Sequence, residues 1–399
     1  MEWRAQQIED PVARLRYLRQ ATGADRVPTS PSRPMRRFSR RWAPAFGLAG
    51  FIVAMVLLVP SNNPNLVAAH GAHRNLPLPA AAPEPGAVES VWLVEQKGGV
   101  EVYSNGLRIE TASAIANETR FDRETKVAGR TVVAGSVRPR GIVFHTTESL
   151  IAPFEATQNQ NLQRVAHWLL DYLRENRSYH YLIDRFGRVH RVVREEDSAW
   201  HAGNSIWADS GHIYVNLNHS FLAVAFESAT QKGDRVSESV TPAQVHAAKI
   251  LTGMLRDKYK IAAVDCVTHA QVSVNQERFL VGLHTDWAAN FPFRELGLPD
   301  NYEHPLAAIY AFGFGYDDDF VASTGTRVWK GLAASDNQMR QEATAQGLSV
   351  TRYRAMLQER YRSAMATLTQ GSARGGQSTE QLAKPATRNA PGKAPQGGQ

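Results

Sequence analysis

GIVFHT at residues 141–146, FLAVAFE at 221–227 and AVDCVTH at 263–269 decide the fold of this chain. Each is a short, continuous apolar run, as expected of a strand buried on both faces of a sheet. Between the first two, Leu162, Val165, Leu169, Tyr172 and Leu173 recur at helical spacing and predict a helix over 157–176. Phe186-Gly187-Arg188 separates two further strands, 179–185 and 189–193, and predicts a hairpin. Thr241-Pro242-Ala243-Gln244 is a helix start. Threonine caps, proline fits the first turn, and glutamine three residues on completes a capping box. Val245, Ala248, Leu251 and Leu255 then form one apolar face. The order strand, helix, hairpin, strand, helix, strand predicts the α/β class, with a mixed central β-sheet flanked by helices over 138–300.

Outward from this core the chain changes character. Residues 88–137 form a β-rich extension, in which 91–94 and 100–103 flank a Lys97-Gly98-Gly99 turn. Residues 301–370 form a helical region. Two helices are expected over 336–368, the second with Tyr353, Leu357, Tyr361, Ala364 and Leu368 on its apolar face. Residues 371–399 are a Gly/Ser/Gln/Pro tail with no aromatic residue, expected to be disordered.

The N-terminal end predicts a membrane anchor. Residues 43–59, APAFGLAGFIVAMVLLV, carry no charge. At ~1.5 Å per residue they span roughly 26 Å, close to the ~30 Å of a hydrocarbon core. Residues 1–42 hold ten arginines and four acids, so the positive side lies before the span. Basic flanks stay in the cytoplasm. The expectation is therefore one transmembrane helix preceding the sheet domain. The N-terminus would lie inside a bacterial inner membrane, with the rest in the periplasm or outside the cell. Six prolines in 60–87 mark an extended linker.

Composition excludes several classes. The 8 Trp, 12 Tyr and 15 Phe are too much aromatic surface for a wholly disordered chain. A single cysteine, Cys266, excludes an intramolecular disulfide. More than half of the net charge of +7 sits in residues 1–42, so no nucleic-acid partner is indicated.

His145 and His269 stand at the ends of predicted core strands. A rigid sheet fixes the direction of such side chains, which suits metal ligands. Zinc takes imidazole and carboxylate ligands, and a catalytic site keeps its fourth position open. His284-Thr285-Asp286 offers two candidates for the third ligand, His284 and Asp286. The spacing alone is a weak signal among 13 scattered histidines.

A resemblance sharpens this. GIVFHTTES, SYHYLIDRFGRVHRVV, SAWHAGNSIW, NHSFLAVAFES, TPAQVHAAKILTGML, VTHAQ and LHTDWAANFPF occur in this order over about residues 138–294. Together they resemble the zinc-dependent N-acetylmuramoyl-L-alanine amidases that share a fold with peptidoglycan recognition proteins. The resemblance implies hydrolysis of the amide between N-acetylmuramic acid and L-alanine in peptidoglycan. It implies Zn²⁺ as cofactor, with His145, His269 and Asp286 as ligands. His284 takes the place of the family's oxyanion-steadying lysine. Tyr179 matches a family tyrosine, and Trp200, His201, Ala202 and Gly203 match a loop lining the substrate groove.

The chain departs from the family in three ways. Ala225 stands where one branch has a catalytic glutamate, and Glu227, two residues on, substitutes only if the register shifts. Lysine has become His284. The stretch from His269 to Asp286 is longer than usual, which leaves His284 open as a ligand. Either Tyr179 or Glu227 is expected to handle the water. The rival reading is a peptidoglycan-binding module without hydrolysis; an activator or a cell-wall protein partner is left open.

Overall fold

The structure, a computed structural model, describes residues 89–382 apart from 123, 232–236, 239 and 326. Five short strands come first: β1 (Leu93–Lys97), β2 (Val100–Tyr103), β3 (Arg108–Glu110), β4 (Glu124–Val127) and β5 (Arg130–Val133). The central part follows with β6 (Gly141–Thr146), α1 (Asn159–Glu175), β7 (Tyr181–Ile183), β8 (Val189–Arg191), β9 (Ile206–Ala208), β10 (His212–Val215) and β11 (Phe221–Phe226). After the small hairpin β12 (Thr230–Gln231) and β13 (Ser237–Glu238) come α2 (Pro242–Tyr259), β14 (Cys266–Thr268) and α3 (His269–Val272). A second small hairpin, β15 (Val274–Asn275) and β16 (Leu280–Val281), precedes α4 (Ala307–Tyr310), α5 (Asp318–Ser323), α6 (Lys330–Ala345) and α7 (Val350–Leu382).

Eight strands form one mixed sheet in the order β1-β2-β3-β8-β7-β11-β6-β14. Its centre is parallel: β11 pairs with both β6 and β7, and β14 with β6. Parallel strands are covered on both faces, which explains why β6 and β11 are apolar throughout and fully buried. The α2 face takes Ile142, Phe144, Val224 and Phe226 against Leu251 and Leu255. On the other face Val143, Phe221 and Val267 meet Trp207 and Tyr214, while Leu182 meets Leu169 and Leu173 of α1. Trp207 and Tyr214 belong to a second sheet, β4-β5-β10-β9, on which Ile309, Phe312, Trp329 and Tyr361 of the C-terminal region pack.

Two local signals behave as the residues predict. Thr241 Oγ1 accepts from Gln244 N and Gln244 Oε1 accepts from Thr241 N, closing the capping box of α2. Tyr353, Leu357, Tyr361, Ala364 and Leu368 are all buried on α7. The expected strand over 263–269 is shorter. Residues Thr268-His-Ala-Gln271 repeat the T-x-x-Q start of α2, and Gln271 Oε1 folds back on Thr268 N at 2.9 Å. His269 therefore opens a helical turn instead of closing a strand.

The extension is part of the sheet. β3 lies parallel to β8, pairing Ile109 with Val189 and Glu110 with His190. Arg120, 3% exposed, donates to the carbonyls of Glu195 at 2.8 Å and His219 at 2.7 Å.

The membrane part of the expectation is corrected. Residues 43–59 lie outside the described residues, as do the N-terminal segment and the linker. Among the described residues no helix is long and apolar enough to cross a membrane. The longer helices are amphipathic: α2 carries Lys249, Arg256, Asp257 and Lys258, and α7 carries Arg352, Arg354, Glu359 and Arg362. Of the expected fold class, the described residues show the mixed α/β sheet with helices on both faces. Helix α7 runs to Leu382, into the stretch expected to be tail, and residues 383–399 lie outside the described residues.

Candidate active site

Parallel strands leave their C-terminal ends together, and this edge is where open α/β sheets bind ligands. His145 is the last but one residue of β6 and His269 follows β14 directly. Both are buried, at 1% and 6% exposure. Asp286, from the loop after β16, closes the group. Its Oδ1 lies 2.8 Å from His269 Nδ1 and its Oδ2 3.4 Å from His145 Nδ1. The three offer one ligand atom each, all within 4.8 Å of one another.

The charges suit a cation. Burial works to raise the Asp286 carboxyl, yet His269 and His145 hold it well below the usual carboxylate range. Burial, and then His269, push His145 down to about 4. The group is one carboxylate anion with His145 neutral, the protonation in which these side chains bind a metal. His269 Nε2 is buried with no hydrogen-bond partner. It is Nδ1, not this atom, that faces Asp286.

The other candidate residues divide. Tyr179, at φ +60°, places its ring 5.0 Å from that of His145. Burial and the Asp286 charge push its hydroxyl up, so it keeps its proton. His284 is exposed and stacks on His269 at 4.7 Å, outside the three-residue group. Its pKa is lowered by burial and by His269. Asn218 Oδ1 accepts from the backbone N of His201, Ala202 and Gly203 at 2.9, 2.7 and 3.1 Å, wrapping that loop around one side chain. Trp200 is left 41% exposed beside it.

Glu227 is elsewhere. Ala225 pairs with His145 across β11 and β6, so no register shift brings a glutamate to that position. Glu227 lies beyond the last residue of β11, where its carboxylate accepts from Arg185 N at 3.1 Å. Burial, with Asp184 adding to it, raises its pKa to about 7.

Sequence reasoning missed two things. His201 was assigned to the groove, but its Nδ1 lies 3.1 Å from His145 Nε2. Asn218 had no role, although an asparagine just before a buried strand is a recurrent turn residue.

The family comparison agrees with this geometry. Residues 135–282 match the family model described as N-acetylmuramoyl-L-alanine amidase. The match includes His145 and His269 and stops short of Asp286. Over these residues the sheet domain is similar to that family. No curated protein matches the chain. Among solved structures it is similar to AmpDH3 from Pseudomonas aeruginosa in complex with an anhydromuramic pentapeptide, at 24% identity and a TM-score of 0.28, over 53% of this chain and 69% of that one. It is similar to the E. coli amidase AmiD with an anhydro-N-acetylmuramic acid peptide, at 22% and 0.31, over 50% and 64%. It is also similar to the endolysin amidase LysCS from Clostridium intestinale, at 20% and 0.26, over 46% and 93%.

Proposed function

We propose that this protein hydrolyses the amide bond between N-acetylmuramic acid and L-alanine in peptidoglycan, using Zn²⁺ held by His145, His269 and Asp286. One observation carries the reading. Within an amidase-family domain, two buried histidines and a buried, ionised aspartate converge to within 4.8 Å. The donor set fits the metal: two imidazoles and a carboxylate are the ligands of open catalytic zinc sites.

A bound Zn²⁺ would supply a Lewis acid for the scissile carbonyl and lower the pKa of a water. The protein's own groups supply the rest. Tyr179 keeps its hydroxyl protonated beside His145 and acts as a donor that orients water or substrate. His284, exposed over His269, is placed to donate to the developing oxyanion. The Trp200–Gly203 loop offers an aromatic face and a fixed backbone to the substrate. Glu227, held by Arg185, takes no part. Peptidoglycan lies outside the cytoplasm, and the proposal places the work there; fractionation of cells with an antibody to the chain tests it.

The second reading, a peptidoglycan-binding module, draws on Ala225, which leaves no carboxylate on β11 opposite His145. One experiment separates the two. Wild type and His269→Ala are assayed together for zinc content and for release of stem peptides from purified peptidoglycan. Zinc with release, both lost in the variant, is the expected result. Zinc and peptidoglycan binding without release would replace the amidase by the module. Protein without zinc would overturn the ligand assignment.

A further inference from the structure

Asp286 is the one member of the cluster that neither a strand nor a helix holds. It sits in a loop, 282–290, that continues past the end of the family match. The loop is nevertheless fixed on both sides. Before Asp286, Gly282 N donates to Ser273 O at 2.8 Å and His284 N to Ser273 Oγ at 2.9 Å. Gly282 has φ +77°, and a Cβ there would strike the Phe320 ring of α5. At Asp286 itself, Ala270 N donates to its carbonyl at 3.3 Å.

The two carbonyls that follow are taken by two side chains from the C-terminal region. Tyr302 OH donates to Trp287 O at 2.7 Å and Trp329 Nε1 donates to Ala288 O at 3.0 Å. The two rings stack on each other, 4.8 Å apart at 23°. Phe320 packs edge-on against Trp329, at 5.2 Å. Trp329 is 5% exposed and sits at the N-terminus of α6. The turn is strained enough to need holding: Trp287 has φ +57°, which a bulky residue adopts only where its surroundings impose it.

We infer that Tyr302 and Trp329 are positioning residues for the Asp286 carboxylate, and that the C-terminal helical region is part of the scaffold of the metal site. The inference rests on the zinc reading proposed above. A carboxylate on an unsupported loop would sample many directions. Clamping the next two peptide units fixes the one that meets His145 and His269. Outer partners of metal ligands typically contribute about 10–100-fold to metal affinity.

The test uses the full chain with Tyr302→Phe and Trp329→Phe. Met339→Ala, in the separate cluster of α6 and α7 with Tyr353 and Leu357, is the control for general destabilisation. Two readouts are taken: zinc affinity by chelator competition, and hydrogen exchange of the amides of 283–290 without metal. Both clamp variants should bind zinc about 10–100-fold more weakly and exchange faster in that loop. The control should lower Tm and leave both unchanged. Unchanged affinity and exchange in the clamp variants would overturn the inference, as would an equal effect of Met339→Ala. If Tyr302→Phe does not fold, Trp329→Phe decides. A parent that binds no zinc would sink the metal reading alone, because the exchange readout still reports on the clamp.

Discussion

His201 Nδ1 lies 3.1 Å from His145 Nε2, on the side of the ring turned away from Asp286, whose Oδ2 faces His145 Nδ1. A ligating histidine usually has a hydrogen-bond partner on its second nitrogen, which fixes its ring and its tautomer. His201 fills that place, and Asn218 fixes His201 in turn. His201→Ala should weaken zinc binding about 10–100-fold while leaving the site fillable at high metal concentration. Chelator competition checks it. A variant with parental affinity would return His201 to the substrate groove.

His284 makes the opposite prediction. It stacks on His269 without joining the cluster. His284→Ala should therefore keep its zinc and turn over about 10²–10³ more slowly, as for loss of one oxyanion donor. Metal analysis and kcat on the same sample decide. A variant that loses zinc would make His284 a ligand.

Glu195 is the hub of a buried network on the α2 side of the sheet. It accepts from Lys258 Nζ at 2.9 Å, Tyr259 OH at 2.5 Å, Arg191 Nη2 at 3.0 Å and from Tyr181 OH. Burial would raise its pKa, but Lys258 and Arg191 bring it down to about 2. A depressed acid stabilises the fold above its unfolded value of about 4.5, and that stability is lost as pH falls towards 2. Glu195→Gln should cost on the order of 3 kcal/mol at neutral pH, because Lys258 loses its counter-charge and Arg191 is left with Glu101 alone. Urea unfolding across pH should show the cost shrinking between about 4.5 and 2.

Glu227 has the reverse sign. Its folded pKa, about 7, lies above the ordinary 4.5, so its contribution is fully present below 4.5 and lost as pH rises through 7. Glu227→Gln should stabilise the protein at pH ~8.5 by on the order of 2 kcal/mol, with the gain fading towards pH ~5. It should leave zinc binding unchanged. A large loss of metal or activity would restore Glu227 to the reaction.

The centre of the fold was legible because it rests on continuous apolar runs. GIVFHT and FLAVAFE are strands since nothing else buries both faces of so short a segment. His145 and His269 were candidates from the ends of expected strands, and only the family resemblance joined them as a ligand pair. What escaped was long-range or small. The second sheet joins β5 to β10 in parallel through strands of four residues each, too short to show a period. His269 opens a helix because Thr268 and Gln271 form a start that was read at 241–244 and overlooked here. The alternation that put Glu227 on the His145 face held only to Phe226. Past the strand end the backbone turned the carboxylate to Arg185. Nothing in the spacing of Tyr302 or Trp329 announces two carbonyls some 15 and 41 residues upstream.

The parallel pairing of β3 with β8 bears on how this protein can be handled. A fragment cut at the start of the family match would lose β1–β5 and expose β8 and β10 as raw edges, templates on which further copies can stack. It would also lose Arg120, the donor to the carbonyls of Glu195 and His219. The inherited module is thus smaller than the unit that can stand alone in water. Anyone grafting the proposed activity onto another carrier must bring the leading strands along, or expect inclusion bodies in place of soluble protein.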